Sequence, residues 1–314
     1  MKILVLTSGG DAPGMNMILA TLYKKFGKNL YACRAGFKGL INNDIVPISE
    51  FEPMKYAKEA GSCIKCSRCP DFQTTEGFNK GLNNAKCFDA VIVLGGNGSY
   101  QGCCELNEKG VRTVFIPATI DNDVLISDYS QGYHTAVKAC VSTIENTMPT
   151  MDAFDRCCIF EVMGRNCSRI ANCVSLNYQC DYVVLKKKDL DYKKMAEIIK
   201  NKKELGQGSC ILVKERIVKL QIIIRNLQKY NPDIEYRSCT VGYVQRGTNP
   251  TFIDLEYARS FAKLAINVLT KTKYSAAIVY KKDDFDIIYR NEEGGMHSLR
   301  KKGGQEVVES IIEN

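Results

Sequence analysis

Short apolar runs alternate regularly with longer segments of helical period along this chain. KILVL precedes the helical segment 15–26, AVIVLGG precedes 99–109, and RTVFIPAT precedes 131–147. Such alternation predicts a parallel sheet covered by helices. The pattern resumes after Pro149 with RCCIFEVMG, YVVL, SCILVKE and SCTVGYV, which indicates a second α/β unit.

Length and composition agree with a globular protein of two domains. The chain has 314 residues, more than a single hydrophobic core usually includes. Its composition, 45% hydrophobic and 25% charged, is that of an ordinary globular protein. MKILVLTSGG is too short for a signal-peptide core, and no apolar run approaches the roughly 20 residues of a membrane span. Cysteines without an export signal are most simply reduced thiols, so we expect a cytoplasmic protein.

Two glycine-rich loops follow predicted strands, where parallel sheets bind their ligands. They are TSGGDAPGMN at 7–16 and GGNGS at 95–99. Glycines there let backbone amides approach an anion at a helix N-terminus. Neither loop has the Walker or dinucleotide spacing, and either alone is equally consistent with a tight strand-to-helix connection. Together they favour a polyphosphate ligand over nicotinamide.

PATIDND, at 117–123, places two carboxylates in one short loop after a strand. Asp121 and Asp123 could divide the work, one accepting a proton and the other holding a cation. The alternative is an Asx-rich turn or a helix cap. His134 and His297 are the only histidines, which leaves little for a Ser-His-Asp or zinc-histidine mechanism. A carboxylate base is therefore favoured.

Arginines recur at the ends of the apolar runs, and their guanidinium groups bind phosphate in a bidentate fashion. The five are Arg68, Arg156, Arg165, Arg237 and Arg246. The formal net charge of +8 is a mild excess, without the dense basic stripe of a nucleic-acid binder. We therefore expect small phosphorylated ligands, and neither nucleic acid nor a membrane as partner.

The motifs, in order along the chain, resemble those of bacterial ATP-dependent 6-phosphofructokinases. They are LTSGGDAPGMN, GSCIKCSRCPDF, GGNGSYQG, PATIDND, EVMGR and GYVQRGTNP, and they cover nearly the whole chain. The resemblance implies two similar doubly wound α/β domains with mainly parallel sheets and the active site in the cleft between them. It implies a nucleotide-binding larger domain at 1–132 plus 245–293, and a sugar-phosphate-binding smaller domain at 133–244 plus 294–314.

The activity implied by the resemblance is transfer of the γ-phosphoryl group of MgATP to the 1-hydroxyl of fructose 6-phosphate, a step of glycolysis. The family is usually a homotetramer whose neighbouring subunits share sugar-phosphate sites. Carried over, Asp121 is the base, Thr119 helps to hold the transferring group, Arg165 stabilises the developing charge, and Asp123 supports the Mg²⁺ ion, with Asn97 in the usual place of a second metal carboxylate.

The binding residues implied by the resemblance fall into two sets. The expected ATP contacts are Gly10, Phe37, Arg68, Cys69, Gly96, Asn97, Gly98 and Ser99. The expected sugar-phosphate contacts are Thr119, Ile120, Asp121, Met163, Gly164, Arg165, Glu215, Tyr243, Val244, Gln245 and Arg246, with Arg156 and Arg237 reaching in from a neighbouring subunit.

The phosphoryl donor is predicted from Gly98 and Ala118. Pyrophosphate-dependent members of the family have Asp and Lys at these positions. A carboxylate at the first position would repel the α-phosphate of ATP, whereas Gly98 leaves room for it. ATP is therefore the expected donor.

Two departures from the family pattern concern the site itself. Asn97 replaces the carboxylate of GGDGS, and Tyr243 replaces a histidine that faces the sugar 6-phosphate. They leave open a catalytically weak paralogue that binds nucleotide or sugar phosphate as a regulatory subunit. A kinase for another phosphorylated sugar is a further alternative. Ala20, Lys24 and Met148 depart from the family's effector site, which argues against its usual control.

A run of three cysteines, Cys63, Cys66 and Cys69, has the spacing C-x2-C-x2-C. Three thiolates at this spacing could hold a cluster or zinc, but no fourth cysteine follows at the ferredoxin interval. We therefore expect plain thiols.

Overall fold

The chain divides into two compact units. The computed structural model describes the backbone of residues 1–290, 296–302 and 305–310, and the side chains of 1–290. The first unit comprises Met1–Tyr133 and the chain from Asn249 onward, and the second comprises His134–Thr248.

The secondary structure follows the alternation expected from the sequence. The strands are β1 (Ile3–Thr7), β2 (Leu30–Cys33), β3 (Ile45–Pro47), β4 (Ala90–Gly95), β5 (Thr113–Pro117), β6 (Cys157–Val162), β7 (Tyr182–Val184), β8 (Ser209–Lys214), β9 (Tyr236–Thr240), β10 (Ser275–Lys281), β11 (Asp284–Arg290), β12 (Met296–Lys302) and β13 (Gln305–Ser310). The helices are α1 (Met15–Phe26), α2 (Phe37–Asn42), α3 (Thr75–Ala85), α4 (Asn97–Glu108), α5 (Tyr133–Asp152), α6 (Arg169–Tyr178), α7 (Tyr192–Glu204), α8 (Leu220–Tyr230), α9 (Val244–Gly247) and α10 (Phe252–Lys271). Within the described residues, no helix combines the length and the apolar character needed to cross a membrane.

The sheet of the first unit has the order β13-β12-β11-β10-β5-β4-β1-β2-β3. Its centre is parallel: β1 pairs with β2 and β4, and β5 pairs with β4 and β10. Strands β1, β4 and β5 are buried along their whole length, as expected for parallel strands covered on both faces. The α/β fold with mainly parallel sheets is thus confirmed.

Antiparallel strands extend both edges of this sheet. β3 pairs antiparallel with β2, and β11, β12 and β13 follow β10 in antiparallel succession. Residues 294–314 were expected in the smaller domain, but the strands Met296–Lys302 and Gln305–Ser310 belong to the larger sheet. The remainder of 294–314 lies outside the described residues. The other domain boundaries stay predictions.

The core of the first unit follows from the two-residue period of its strands. Leu4 and Leu6 of β1, Val91 and Val93 of β4, and Phe115 of β5 belong to one buried cluster on the same side of the sheet. Helices α1 and α10 contact each other, and α10 also packs on β5 and β10. The sheet is therefore fixed from two sides, which makes its strand ends a rigid base for loops.

The second unit has a smaller, wholly parallel sheet of order β7-β8-β6-β9. Cys157, Ile159 and Val213 of this sheet pack with Met195 and Ile223 of α7 and α8 in a separate buried cluster. Because the strands are parallel, the loops after β6, β8 and β9 leave from the same edge.

Candidate active site

Three loops of the first unit lie together because β1, β4 and β5 end side by side. Gly95 is paired with Pro117 at the end of the β4–β5 register. The Ser8 N–H donates to the Leu94 carbonyl at 2.9 Å. The Ser99 hydroxyl donates to the Ser8 carbonyl at 3.3 Å. TSGGDAPGMN, GGNGS and PATIDND therefore form one surface, as expected for loops that follow neighbouring parallel strands.

Gly98 occupies the first turn of α4, where no acidic residue is present. A Cβ atom added to Gly98 would have no atom within 4 Å other than its immediate neighbours. The packing of the protein therefore does not require glycine at this position. Because the first amides of a helix have no partner within it, the open space lies beside groups that attract anions.

The side chain of Asn97 is held at both ends by the backbone of the next loop. Its Nδ2 donates to the Asp123 carbonyl at 2.8 Å, and its Oδ1 accepts from the Leu125 N–H at 3.2 Å. A carbonyl only accepts and a backbone N–H only donates, so the partners fix the orientation of the amide. The oxygen expected near a metal ion is thus engaged with Leu125.

The loop that carries Asp121 is closed on itself by Asn122. The Asn122 Oδ1 accepts from the Ser130 N–H at 2.8 Å, and its Nδ2 donates to the Asp128 carbonyl at 3.1 Å. Asn122 has a φ of 50°, a left-handed conformation that asparagine tolerates better than most residues. The Ser130 hydroxyl donates to the Thr119 carbonyl at 2.7 Å. Asp121, only 9% exposed, therefore lies on a braced loop.

Asp254 of α10 anchors the chain that follows this loop. Its fully buried carboxylate accepts from the Gly132 N–H at 3.0 Å, from Gln131 Nε2 at 3.3 Å, and from the Tyr129 hydroxyl. Burial and then the charge of Asp254 raise the pKa of Tyr129 well above its usual value. Asp254 was not predicted from the sequence, although Thr251 followed three residues later by Asp254 is the pattern of a helix start.

The segment that carries Arg68 lies against the first glycine loop. The Thr7 hydroxyl donates to the Lys65 carbonyl at 2.9 Å, and the Gly9 N–H donates to the Ser67 carbonyl at 3.0 Å. Arg68 itself is exposed, and Cys69 is partly buried. The structure thus brings Arg68 to the same surface as the glycine loops.

Phe37, the residue expected near adenine, packs in the core of the first unit. Its ring is 4% exposed and stacks on Phe72, with 4.2 Å between ring centroids. A Cβ on Gly102 would lie 2.9 Å from this ring. Phe37 thus belongs to the core, with little of its ring exposed, and its contact with adenine stays a prediction.

Cys63, Cys66 and Cys69 do not assemble a metal site. In the part of the chain that the structure describes, no group of three or more His, Cys, Asp or Glu side chains could hold a metal ion. Burial raises the pKa of the Cys63 thiol to about 11, so it is protonated at neutral pH. The Cys66 Sγ lies 4.0 Å from the Met15 Sδ. Cys63 and Cys66 precede Arg68 in this loop, and Cys69 follows it directly.

In the second unit, the backbone after β6 is held by Glu215. The Glu215 Oε1 accepts from the Gly164 N–H at 3.1 Å and from the Arg165 N–H at 2.6 Å. Gly164 has a φ of 148°, and a Cβ there would lie 2.7 Å from the Cys167 carbonyl oxygen. Arg165 is left-handed, with a φ of 51°. The buried amine of Lys214, missed by the sequence analysis, donates to the Arg165 carbonyl at 2.9 Å.

Gln245 connects the loop after β9 to the same segment. It is fully buried, and its Oε1 accepts from the Met163 N–H at 2.8 Å. Tyr243 and Val244 are 78% and 54% exposed, in keeping with residues that could meet a ligand or another molecule. Met163, Gly164, Arg165, Glu215 and Gln245 are thus in one cluster, and their binding of a sugar phosphate stays a prediction.

Arg156 and Arg237 share one carboxylate. Both guanidinium groups form ion pairs with Glu235, and the Arg156 side chain is 21% exposed against 50% for Arg237. The Phe154 ring lies over the Arg156 guanidinium, 4.2 Å from ring centroid to Cζ. The two arginines are therefore neighbours, and their role toward another subunit stays a prediction.

Two of the three positions that depart from the family's effector site are inaccessible. Ala20 and Met148 are 3% and 5% exposed, whereas Lys24 is exposed. Ala20 and Met148 are thus packing residues in this chain.

Comparison with known proteins identifies the family. The family model described as phosphofructokinase matches residues 2–269. The ATP-dependent 6-phosphofructokinase of Lactobacillus acidophilus is 34% identical over 283 residues, 88% of each chain. That of Streptococcus equi subsp. zooepidemicus is 31% identical over 312 residues, 96% of this chain and 93% of the relative.

Solved structures share the fold. Pichia pastoris phosphofructokinase in the T-state is 23% identical, with a TM-score of 0.80 over 91% of this chain and 36% of that one. The pyrophosphate-dependent phosphofructokinase from Nitrosospira multiformis is 16% identical, with a TM-score of 0.77 over 100% and 98%. With the sequence matches, these findings show that the chain belongs to the phosphofructokinase family.

Proposed function

We propose that this protein is an ATP-dependent 6-phosphofructokinase, which transfers the γ-phosphoryl group of ATP to the 1-hydroxyl of fructose 6-phosphate. The observation that carries the proposal is the grouping of two glycine loops with the braced, mostly buried Asp121 at one edge of a parallel sheet. Phosphoryl transfer needs mainly positioning and charge stabilisation, which backbone amides and a rigid loop supply.

Asp121 is the proposed base. It accepts the proton of the attacking sugar hydroxyl, and the bond from Asn122 to Ser130 keeps its loop in place while it does so. Thr119 lies at the start of the same loop, and its Oγ1 accepts from the Asp121 N–H at 3.4 Å. Arg165, on its own braced segment, is proposed to neutralise charge that develops on the phosphoryl group.

The carboxylates available in the first unit fit magnesium. Mg²⁺ is usually held by one or two carboxylates together with substrate phosphates, and Asp123 supplies one carboxylate two residues after Asp121, the proposed base. We propose Asp123 as the protein group that supports the ion, without the Asn97 oxygen, which Leu125 occupies. When bound, the metal neutralises charge on the phosphates.

ATP is the proposed donor because Gly98 leaves open space beside the N-terminus of α4. The curated relatives above 30% identity are named ATP-dependent, and they support the same donor. The named pyrophosphate-dependent structure is 16% identical and bears on the fold alone.

The test is a coupled assay of purified protein with ATP, fructose 6-phosphate and excess magnesium. We expect turnover, and we expect Asp121→Asn to lower kcat by about 10²–10⁴-fold, the usual contribution of a positioned base. Asp44→Asn, at a partly exposed carboxylate that pairs with Arg34 between α2 and β3, is the control and should keep full activity. Activity in Asp121→Asn equal to that of the unmodified protein would reject Asp121 as the base.

A catalytically weak paralogue is the second candidate, and the engagement of Asn97 away from a metal favours it. Calorimetry that shows binding of nucleotide or sugar phosphate, combined with no turnover at any magnesium concentration, would establish this alternative. A different phosphorylated sugar as acceptor would appear as turnover only when fructose 6-phosphate is exchanged for that sugar.

A homotetramer with shared substrate sites is part of the proposal. Its support is the pair Arg156 and Arg237, two neighbouring cations that both form ion pairs with Glu235. Light scattering gives the assembly. Mixing of inactive Arg156→Ala and Asp121→Asn subunits should restore part of the activity if one subunit completes the site of another.

A further inference from the structure

We propose that Asn97 is a positioning residue that ties the β4–α4 loop to the loop carrying Asp121 and Asp123, and that it has exchanged the family's metal-ligand role for this one. The inference rests on the proposed kinase function and deepens it. It concerns how this chain holds Asp123 in place when position 97 supplies no carboxylate.

The two hydrogen bonds of the Asn97 side chain are made to the backbone on either side of Val124. One reaches the Asp123 carbonyl at 2.8 Å and the other reaches the Leu125 N–H at 3.2 Å. Val124 between them is 3% exposed and packs in the cluster beneath the sheet. The segment 123–125 is therefore held by the buried Val124 side chain and by the two hydrogen bonds of Asn97. These contacts fix the backbone from which the Asp123 carboxylate extends.

Only an amide side chain at position 97 can form both hydrogen bonds. Asn97 donates through Nδ2 and accepts through Oδ1, and both functions are used. An aspartate could still accept from Leu125, but its second oxygen would face the Asp123 carbonyl oxygen without a proton between them. An alanine would lose both bonds. The residue that the family usually has would thus weaken this particular contact.

Asn97 is partly buried and lies at the first position of α4, so its bonds also fix the start of that helix. The same helix start presents Gly98 to the proposed nucleotide. One side chain therefore sets the spacing between the phosphate-binding amides and the carboxylate loop. Such spacing matters because small misplacements of reacting groups slow phosphoryl transfer strongly.

The experiment compares Asn97→Asp and Asn97→Ala with Asn231→Asp. Asn231 is the matched control, a partly buried asparagine in the second unit whose Nδ2 donates to the Ala196 carbonyl, also at 2.8 Å. The first measurement is hydrogen–deuterium exchange of ligand-free protein. We expect the segment 121–126 to exchange about tenfold faster in Asn97→Ala, the effect of losing bonds that protect it, and to be unchanged in Asn231→Asp.

The second measurement is turnover against magnesium concentration. We expect Asn97→Asp to turn over more slowly than the unmodified protein, with no decrease in the magnesium concentration at half-maximal rate. A tenfold decrease in that concentration, with unchanged exchange in both Asn97 variants, would overturn the proposal and make position 97 a metal ligand. If the unmodified protein lacks turnover, the proposed function fails, while the exchange measurement still decides whether Asn97 holds the loop.

Discussion

Mutation of Glu215 tests which contacts hold segment 163–165 of the second unit in place. One carboxylate oxygen accepts from the Gly164 N–H at 3.1 Å and from the Arg165 N–H at 2.6 Å. Arg165 is held in a left-handed conformation, which costs a non-glycine residue about 1 kcal/mol. Removal of the carboxylate in Glu215→Ala should release both amides and let Arg165 relax.

The magnitude follows from the two bonds. A hydrogen bond to a charged group contributes about 1.5–3 kcal/mol, and partial exposure of Glu215 brings each toward the lower end. Relief of strain at Arg165 offsets part of the loss. We therefore expect Glu215→Ala to lower the free energy of unfolding by about 2 kcal/mol. Glu215→Gln keeps two neutral bonds and should lose about 1 kcal/mol.

The assay is thermal unfolding of ligand-free protein, which separates this effect from any contact with substrate. A loss of about 2 kcal/mol should lower the melting temperature by about 3 °C when the 314 residues unfold in one transition. Glu76→Ala is the control, since its ion pair with Lys80 is fully on the surface, and it should change the melting temperature little. Equal melting temperatures of Glu215→Ala and the unmodified protein would contradict this explanation. A lower melting temperature of Glu215→Gln than of Glu215→Ala would contradict it as well.

Two further predictions concern Gly98 and the thiol pair Cys180 and Cys210. Gly98→Asp should melt like the unmodified protein because its Cβ meets open space, yet lose at least about tenfold in kcat/KM for ATP through repulsion of the nucleotide phosphates. Unchanged ATP kinetics would show that this position does not set the donor. The Cys210 thiol donates to Cys180 across 3.7 Å and lowers the pKa of Cys180 below the usual 9.0. A lowered pKa increases the reactive thiolate at pH 7, so mass spectrometry should find faster alkylation of Cys180 in the unmodified protein than in Cys210→Ala. Equal rates in the two proteins would contradict this.

The parts of the fold that could be predicted from the sequence depend on local pattern. Apolar runs such as 90–94 are buried strands, and the loops after them meet because parallel strands end at one edge. The grouping of Gly98 with Asp121, and of Arg165 with Glu215, followed from this rule together with the family resemblance. The individual roles of these residues stay predictions, which the proposed variants test.

The parts that could not be predicted depend on partners distant along the chain. The side chain of Asn97 bonds to residues 26 and 28 positions away, and nothing near it in sequence indicates this. Phe37 was expected at a nucleotide, but its partner Phe72 makes it a core residue. The β10–β11 hairpin was missed because its turn residues, Lys282 and Asp283, are both left-handed without a glycine to mark them.

The late position of Asp254 in the sequence affects the order in which parts of the protein can fold during synthesis. The carboxylate that secures Tyr129, Gln131 and Gly132 lies more than a hundred residues later in the chain. A ribosome must therefore complete all of the second unit before the partner of this loop emerges. We expect nascent chains that end before α10 to hold a folded second unit beside a first unit whose loop at 119–132 is still unanchored, so that catalytic competence arrives only near the end of synthesis.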